Sequence, residues 1–317
     1  MNFLRKAIII GIAPIFLSFS AIAEVKVVTT IKPVHSLVSG VMDGVSNPTL
    51  IIEGSNNPHN FSLKPSHAKM LEEADIVFWI GEDLESFMEK PLSSLAKDAV
   101  KISFMDLPSI KKLKFREKNI FDDHDDHGHD DHDGHEDEHE GHDDHGHHHG
   151  EFDAHIWLDP SNAIEMVLEI SHELSEIDPD NAAKYEQNAD KMVASLKNLI
   201  SEVDSTISKD ASFVVFHDAY QYFENRFGVS SAGALTLNPD VLPGAKQIDA
   251  IQDLIQDDNI KCIFSEPQYN PKIIETLAAD MNISTGVMDP LGAFIDQGQE
   301  MYNQLILNIA NSLKECS

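Results

Sequence analysis

The chain has 317 residues, a formal net charge of −31 at pH 7 and only two cysteines. A surface this acidic repels nucleic acid and anionic membranes and attracts cations, which argues against nucleic acid as a partner. Two cysteines are also too few for a zinc site built from thiolates.

Residues 1–23 have the pattern of a secretory signal peptide. Two basic residues precede an apolar run, and Ala21-Ile22-Ala23 supplies a cleavage site of small residues. The run is shorter than the roughly 20 apolar residues of a membrane anchor, and Pro14 interrupts it. We therefore expect an exported protein that begins at Glu24 and has no membrane anchor.

Strands and helices alternate over residues 24–177, which we predict to be the N-terminal domain. The predicted strands are rich in β-branched and aromatic residues, and the helices show apolar side chains at helical spacing. Such alternation is typical of an α/β fold with a parallel sheet covered by helices. The predicted strands are 25–30, 49–52, 75–80 and 100–103, and the helices are 33–44, 66–73 and 84–96.

Residues 122–149 contain only four amino-acid types: eleven His, thirteen Asp or Glu, and four Gly. Nothing in the segment can form a core, so it is predicted to be a disordered, exposed loop. Imidazole and carboxylate both bind divalent metals, so we expect weak auxiliary metal sites here. The histidines concerned are His124, His127, His129, His132, His135, His139, His142, His145, His147, His148 and His149.

A long helix is predicted to link two halves of the chain. Asp159-Pro160 begins a helix that ends near Ile177. From Pro179 the chain then continues to Ser208 without Gly or further Pro, and it carries an apolar stripe. A helix of that length spans about 45 Å, which suits a linker helix over 178–210.

A second series of strands and helices follows, and we predict residues 211–317 to be a C-terminal α/β domain. Two such sandwich-like domains on one linker helix leave a cleft between them. Open α/β sheets bind ligands at the carboxyl ends of their strands. The predicted strands are 212–216, 229–235, 260–264 and 284–288, and the helices are 220–227, 245–256, 271–281 and 298–314.

Three histidines fall at strand ends or in strand-to-helix turns, where a sheet presents side chains to such a cleft: His59, His155 and His217. Asp289 also follows a predicted strand and is the candidate for a fourth, oxygen ligand. Three imidazoles and one carboxylate suit tetrahedral Zn²⁺.

Three further histidines lie outside the acidic segment. His35, in the first turn of a predicted helix, is a weaker candidate for the cleft. His67 and His172 lie on predicted helices and are expected at the surface.

Four motifs carry a resemblance to a known family over nearly the whole mature chain. The chain resembles the zinc branch of the metal-binding proteins that supply ABC importers, and most of all the ZnuA-type periplasmic zinc-uptake proteins. The motifs are 57–66 (NPHNFSLKPS), 155–160 (HIWLDP), 216–220 (FHDAY) and 288–292 (MDPLG), with an acidic, His-rich insertion at the same place.

The resemblance implies two (β/α) domains joined by a rigid helix, with zinc in the cleft held by His59, His155 and His217. Manganese relatives tend to have Glu at the position of His217, which places this chain with zinc. Some zinc relatives have an acidic residue where Pro58 stands, so the fourth ligand is Asp289 or a water. The implied function is capture of Zn(II) in the periplasm, as a transported ligand, by a monomer that delivers it to the membrane permease of an ABC transporter.

Two other functions remain as alternatives. An exported zinc hydrolase would need a general base, for which Glu266 is the candidate, but the chain has no H-E-x-x-H motif and we do not expect an enzyme. A periplasmic zinc buffer would make the acidic segment the functional part and would leave the histidines of the cleft unexplained.

The two cysteines, Cys262 and Cys316, both lie in the last 56 residues. In an exported chain an even pair predicts a disulfide, here one that tethers the C-terminus. Two separate buried thiols are the alternative.

Overall fold

The computed structural model describes residues 24–121, 150–239 and 241–316. The predicted signal peptide (1–23) and the acidic His-rich segment (122–149) lie outside the described residues. Among the described helices, none has both the length and the apolar character needed to cross a membrane.

The first half of the chain forms a four-stranded parallel sheet in the order β2-β1-β3-β4. β1 and β3 occupy its centre, and their Val, Ile and Phe side chains are almost fully buried, as expected for strands covered on both faces. The strands are β1 (Val27–Thr29), β2 (Thr49–Leu50), β3 (Ile76–Trp79) and β4 (Val100–Ser103). The helices are α1 (Lys32–Val41), α2 (Pro65–Glu72) and α3 (Glu89–Ser94).

Two helices that pack against each other follow. α4 (Pro160–Ile177) begins as predicted, because the carboxylate of Asp159 accepts a hydrogen bond from the backbone N–H of Ser161 at 2.8 Å. α5 (Ala182–Thr206) lies within the predicted linker segment 178–210 and is about 38 Å long. It starts later than the sequence predicts, since residues 179–181 form a 3₁₀ turn in which the side chain of Asn181 donates to Asp178.

The second half repeats the topology of the first, with a parallel sheet in the order β6-β5-β7-β8. This confirms the predicted α/β fold class. The strands are β5 (Phe213–His217), β6 (Gly233–Thr236), β7 (Cys262–Ser265) and β8 (Ser284–Val287). The helices are α6 (Gln221–Phe227), α7 (Ala245–Asp257), α8 (Lys272–Met281) and α9 (Met301–Ser312).

The two halves share one hydrophobic core. Leu37 of α1, Leu196 of α5 and Leu305 of α9 belong to the same buried cluster, which also reaches Phe264 of β7. The other face of the second sheet packs a smaller cluster that includes Ile263. The final helix thus packs against the first half as well as the second, which fixes the halves relative to each other.

Polar bonds from α1 reinforce this contact. The buried ammonium of Lys32 donates to the carbonyl oxygens of Gly292, Ala293 and Ile295 at 2.8–2.9 Å. The hydroxyl of Ser36 donates to the carbonyl of Gly298 at 2.8 Å. The first turn of α1 therefore holds the segment between β8 and α9.

A disulfide joins Cys262 of β7 to Cys316 at the end of the chain, with 5.5 Å between the Cα atoms. The predicted pairing is confirmed, and the alternative of two separate thiols is wrong. The bond fastens the end of α9 to a central strand of the second sheet.

Candidate metal centre

Three of the predicted site residues come together between the two sheets. His217 is the last residue of β5, His59 lies in the loop after β2, and His155 precedes the short 3₁₀ turn Ile156–Leu158. One ligand atom from each of the three lies within 4.8 Å of the others. Over the described part of the chain, these are the residues that group in this way.

Asp153 fixes the ring of His155. Its Oδ1 accepts from the backbone N–H of His155 at 2.9 Å and lies 2.7 Å from Nδ1 of the same residue. The carboxylate is fully buried. Tyr222 of α6 donates to the backbone carbonyl of Asp153 at 2.7 Å, so the second half of the chain steadies a ligand carried by the segment before α4.

Glu266 fixes the ring of His217 in the same way. Nδ1 of His217 lies 2.9 Å from Oε1 and 3.0 Å from Oε2 of Glu266. Glu266 directly follows β7, and β5 and β7 are neighbouring parallel strands at the centre of the sheet. The adjacent strand ends therefore deliver a histidine and its carboxylate partner to one place.

These carboxylates determine what the outer ring nitrogens can do. A carboxylate accepts hydrogen bonds, so Nδ1 of His155 and of His217 carries the proton and Nε2 is left with a lone pair. The two Nε2 atoms face each other at 3.2 Å. Two lone pairs at this distance repel unless a proton or a metal cation lies between them. Tetrahedral zinc with Zn–N bonds near 2.05 Å would separate two nitrogens by about 3.3 Å, so the arrangement fits zinc.

His59 completes the group from the loop after β2, so the first half of the chain supplies two of the histidines and the second half supplies His217. Its ring centre lies 5.4 Å from that of His155 and 5.7 Å from that of His217. Its backbone N–H donates to Oδ1 of Asn57 at 2.9 Å, which shapes the turn that carries it.

The space among the rings is small and walled by aromatic side chains. Trp157 packs 5.2 Å from the ring of His155, and Tyr269 packs 5.9 Å from the ring of His217. The cavity that the three histidines line is about 10 Å³, roughly the size of one water molecule or one ion. The site can hold a bare cation, and it has no room for an organic molecule beside it.

Asp289, the predicted oxygen ligand, is engaged elsewhere. Its Oδ1 accepts from the side-chain amide of Gln268 at 2.9 Å and from the backbone N–H of Leu291 at 3.0 Å. Its Oδ2 accepts from the backbone N–H of Ala293 at 2.5 Å. Asp289 lines a separate groove between β8 and α9, whereas Gln268 lines the cavity of the histidines.

The surroundings of the site are rich in carboxylates with few cations. Arg116 bridges Asp218 at 2.7 Å and Glu224 at 2.6 Å. Burial raises the pKa of Asp218 to about 7, with the guanidinium of Arg116 acting in the opposite direction. Burial also disfavours the charged form of Lys32 and so lowers its pKa, and the carboxylate of Asp289 partly offsets that shift. The excess of carboxylates favours a cation in the cleft.

The remaining histidines lie away from the group. His35 is buried in α1, with Nε2 3.3 Å from the carbonyl oxygen of Pro48. The expectation that His67 is a surface residue is wrong: its ring stacks on Phe61 and its Nδ1 accepts from the backbone N–H of Lys64 at the start of α2. His172 is exposed on α4, as expected.

The sequence interpretation missed Asp153 and assigned Glu266 a different role. Asp153 stands two residues before His155, a spacing at which a short carboxylate can reach back to a ring nitrogen. That spacing was the available signal. For Glu266, only the pairing of β5 with β7 brings it to His217, and the sequence does not state that pairing.

The sequence model of a family described as "ZnuA: Zinc-uptake complex component A periplasmic" matches residues 27–316. The chain belongs to this ZnuA family. A relative named "High-affinity zinc uptake system protein ZnuA" from Brucella abortus (strain 2308) is 47% identical over 304 residues, which cover 92% of this chain and 91% of the relative.

Solved structures support the fold. One described as "Crystal structure of ZnuA" matches with a TM-score of 0.72 at 22% identity, covering 92% of this chain and 99% of that one. A Mn-bound periplasmic metal-binding protein from Candidatus Liberibacter asiaticus matches with a TM-score of 0.70 at 21% identity, covering 92% and 100%. At this identity the likeness concerns the fold alone, so the choice of metal has to be argued from the side chains.

Proposed function

We propose that this ZnuA-family protein is the zinc-binding component of an ABC importer. It captures Zn(II) in the periplasm, as cargo, through His59, His155 and His217, and delivers it as a monomer to a membrane permease. The observation that carries the proposal is the 3.2 Å approach of the Nε2 atoms of His155 and His217 while both Nδ1 atoms face carboxylates. The name of the 47% identical relative points the same way.

The donor set favours zinc over manganese. Three neutral imidazoles converge, and no carboxylate belongs to the group among the described residues. Imidazole suits zinc, whereas manganese prefers carboxylate and other oxygen ligands. The buried carboxylates of Asp153 and Glu266 lie behind the ligand histidines, at their Nδ1 atoms. Their two negative charges balance the charge of Zn²⁺ without binding it.

Two features favour a carrier over the alternative of a zinc hydrolase. The cavity of about 10 Å³ has no space for an organic substrate next to the metal. Glu266, the candidate general base, holds Nδ1 of His217 with both oxygens and therefore acts as an orienting group. The family, too, is one of transport components.

We further propose that the eleven histidines of residues 122–149 are an auxiliary collector. Fixing a chain segment around a metal costs roughly 1–2 kcal/mol for every residue that has to be ordered. These sites are therefore weaker than the preformed cleft, which argues against a buffer in which the segment is the main receptor.

The division into a signal peptide (1–23), two domains (24–177 and 211–317) and a linker helix (178–210) also stands as a proposal. Each proposed domain contains its own four-stranded sheet, which supports it.

A competition titration tests the proposed site. The chain without residues 122–149 is titrated with zinc against a chelator of known affinity, as are its His59→Ala, His155→Ala and His217→Ala variants. Each substitution removes one of three ligands, so affinity is expected to fall by orders of magnitude. His172→Ala is the matched control, because His172 is exposed on α4. Wild-type affinity in any of the three cleft variants would remove that residue from the site.

A further inference from the structure

We propose that Gln268 accepts a hydrogen bond from a zinc-bound water at the fourth coordination position. Asp289 acts indirectly, by fixing the orientation of the Gln268 amide. The proposal rests on the proposed function, in which three histidines hold the zinc. It assigns Gln268 a role in metal selection and gives Asp289 a positioning role in place of direct ligation.

The orientation of the Gln268 amide follows from hydrogen-bond chemistry. Asp289 accepts two backbone hydrogen bonds, from Leu291 and Ala293, as an ionised carboxylate does. Its contact with Gln268 therefore needs a donor, which is Nε2 at 2.9 Å. An amide whose Nε2 is fixed in this way has its Oε1 fixed as well, because the group is planar.

The Oε1 atom is the part of Gln268 left for a ligand. It is buried, and no group in the described part of the chain donates a hydrogen bond to it. Gln268 lines the same small cavity as His59, His155 and His217. A buried amide oxygen without a donor is unfavourable, so a hydrogen-bond donor in the cavity stabilises it.

Zinc-bound water is a suitable donor for this oxygen. Three protein ligands leave one tetrahedral position open, and a water in that position has its O–H bonds polarised by the metal. One of them would donate to Oε1 of Gln268. The cavity of about 10 Å³ has room for the cation, so the water would lie at its edge, beside Gln268.

The arrangement bears on metal selection. Because the neutral amide acts through the water, no carboxylate binds the metal. The proposed ligands are three imidazole nitrogens and one water. Zinc accepts this set, while Mn²⁺ gains less from it because it prefers carboxylate oxygen. A carboxylate at position 268 would shift the preference towards Mn²⁺.

The first test replaces the acceptor. Gln268→Met keeps the length of the side chain and removes the oxygen, and Gln297→Met is the matched control at an exposed position. By chelator competition, zinc affinity is expected to weaken about 3- to 10-fold in Gln268→Met, the value of one hydrogen bond. The visible spectrum of the Co(II)-loaded protein, which reports the fourth ligand, is expected to change in Gln268→Met and not in the control.

The second test supplies a carboxylate. In Gln268→Glu, affinity for Mn²⁺ is expected to rise relative to affinity for Zn²⁺, so the Zn/Mn ratio falls at least several-fold. A merely structural role for Gln268 would change both affinities alike and leave the ratio as in the wild type.

A double-mutant cycle tests the positioning role of Asp289. Asp289→Asn lets the Gln268 amide turn, so its effect on zinc affinity is expected to have the same sign as that of Gln268→Met. If Asp289 acts through Gln268, the double variant is no weaker than Gln268→Met alone.

Three results would overturn the proposal: wild-type zinc affinity and Co(II) spectrum in Gln268→Met, an unchanged Zn/Mn ratio in Gln268→Glu, or additive losses in the cycle. His217→Ala, measured in parallel, distinguishes failure of this inference from failure of the proposed function. If its affinity falls while the Gln268 variants behave as the wild type, only this inference fails. If its affinity does not fall, the proposed function fails.

Discussion

At the scale of single residues, the carboxylates behind the histidines are as informative as the histidines themselves. Glu266 holds Nδ1 of His217 with both oxygens, and Asp153 holds Nδ1 of His155 with one. Such partners set the tautomer and direction of a ligating ring and raise its basicity. The site is therefore organised before the metal arrives.

We expect Glu266→Gln to weaken zinc binding by about 10- to 100-fold, the usual range for loss of a carboxylate partner of a ligating histidine. The amide keeps the shape of the side chain and loses its charge. Competition with a chelator measures the effect, and Glu275→Gln, on the exposed side of α8, is the control. Equal affinity in both variants would show that the charge of Glu266 does not strengthen zinc binding.

The buried carboxyl of Glu85 predicts a pH effect on stability. Glu85 is fully buried, with Oε2 accepting from the backbone N–H of Ile80 at 2.9 Å. Burial raises its pKa to about 7, partly offset by the Thr30 hydroxyl and by backbone N–H groups. The folded state therefore keeps a proton that the unfolded chain releases at lower pH. Its contribution to stability is full below the unfolded pKa and is lost as the pH rises through about 7.

Glu85→Gln removes that titration. Relative to the wild type, the variant is expected to become more stable with rising pH, by roughly 2–3 kcal/mol between about pH 5 and pH 8. Denaturant unfolding of both proteins at several pH values measures the difference. A difference that stays constant with pH would mean that Glu85 is ionised in the folded state throughout.

The sequence located the three histidines because each stands where a strand or turn ends, and parallel sheets expose such residues at one edge. Asp289 met the same criterion, yet its oxygens accept from Gln268, Leu291 and Ala293. Position at a strand end fixes the neighbourhood of a side chain, and hydrogen bonds within the loop fix its direction. His67 was placed wrongly for a similar reason, since its ring stacks on Phe61.

At the scale of elements, the disulfide has the clearest energetic consequence. It joins β7 to the end of α9 across a sequence separation of 54 residues. By loop entropy, closing a segment of that length stabilises the folded chain by about 4 kcal/mol. We expect the double variant Cys262→Ser, Cys316→Ser to lose about that amount in denaturant unfolding.

Reduction provides the matching control. Reduced wild type should unfold like the double variant, and the double variant should be insensitive to reductant. Equal stability of the oxidised wild type and the double variant would contradict the expected contribution. Mass spectrometry of the exported protein under non-reducing conditions would test whether the bond is present.

The order of strands and helices could be predicted because hydrophobic periodicity is local. The position of α9 could not be predicted, because it packs against α1 and α5, which are distant in the sequence. For example, the OH of Tyr302 donates to the carbonyl of Trp157, 145 residues away. The late start of α5 depends on side-chain bonds to Asp178, which periodicity does not report.

At the scale of the whole molecule, one hydrophobic core runs through both halves, and the metal group lies between their sheets. Shared burial of α1, α5 and α9 resists a large separation of the halves. The sequence predicted two α/β halves with a cleft between them. The continuity of the core depends on contacts between distant residues, which only the folded chain shows.

We expect deletion of residues 122–149 to leave one tight zinc site and to abolish the weaker ones. The deleted residues supply eleven histidines and thirteen carboxylates, and none of the cleft ligands. Calorimetric titration of the full-length and the deleted protein measures the number of sites and their affinities. Loss of the tightest site on deletion would make the acidic segment the receptor and would refute the cleft assignment.

The most direct measurement is a crystal structure of the full-length protein, loaded with one equivalent of zinc and recorded with anomalous data at the zinc edge. We expect one strong peak at about 2.0–2.1 Å from a ring nitrogen of each of His59, His155 and His217. A main peak elsewhere, or a peak without one of these three nitrogens, would contradict it.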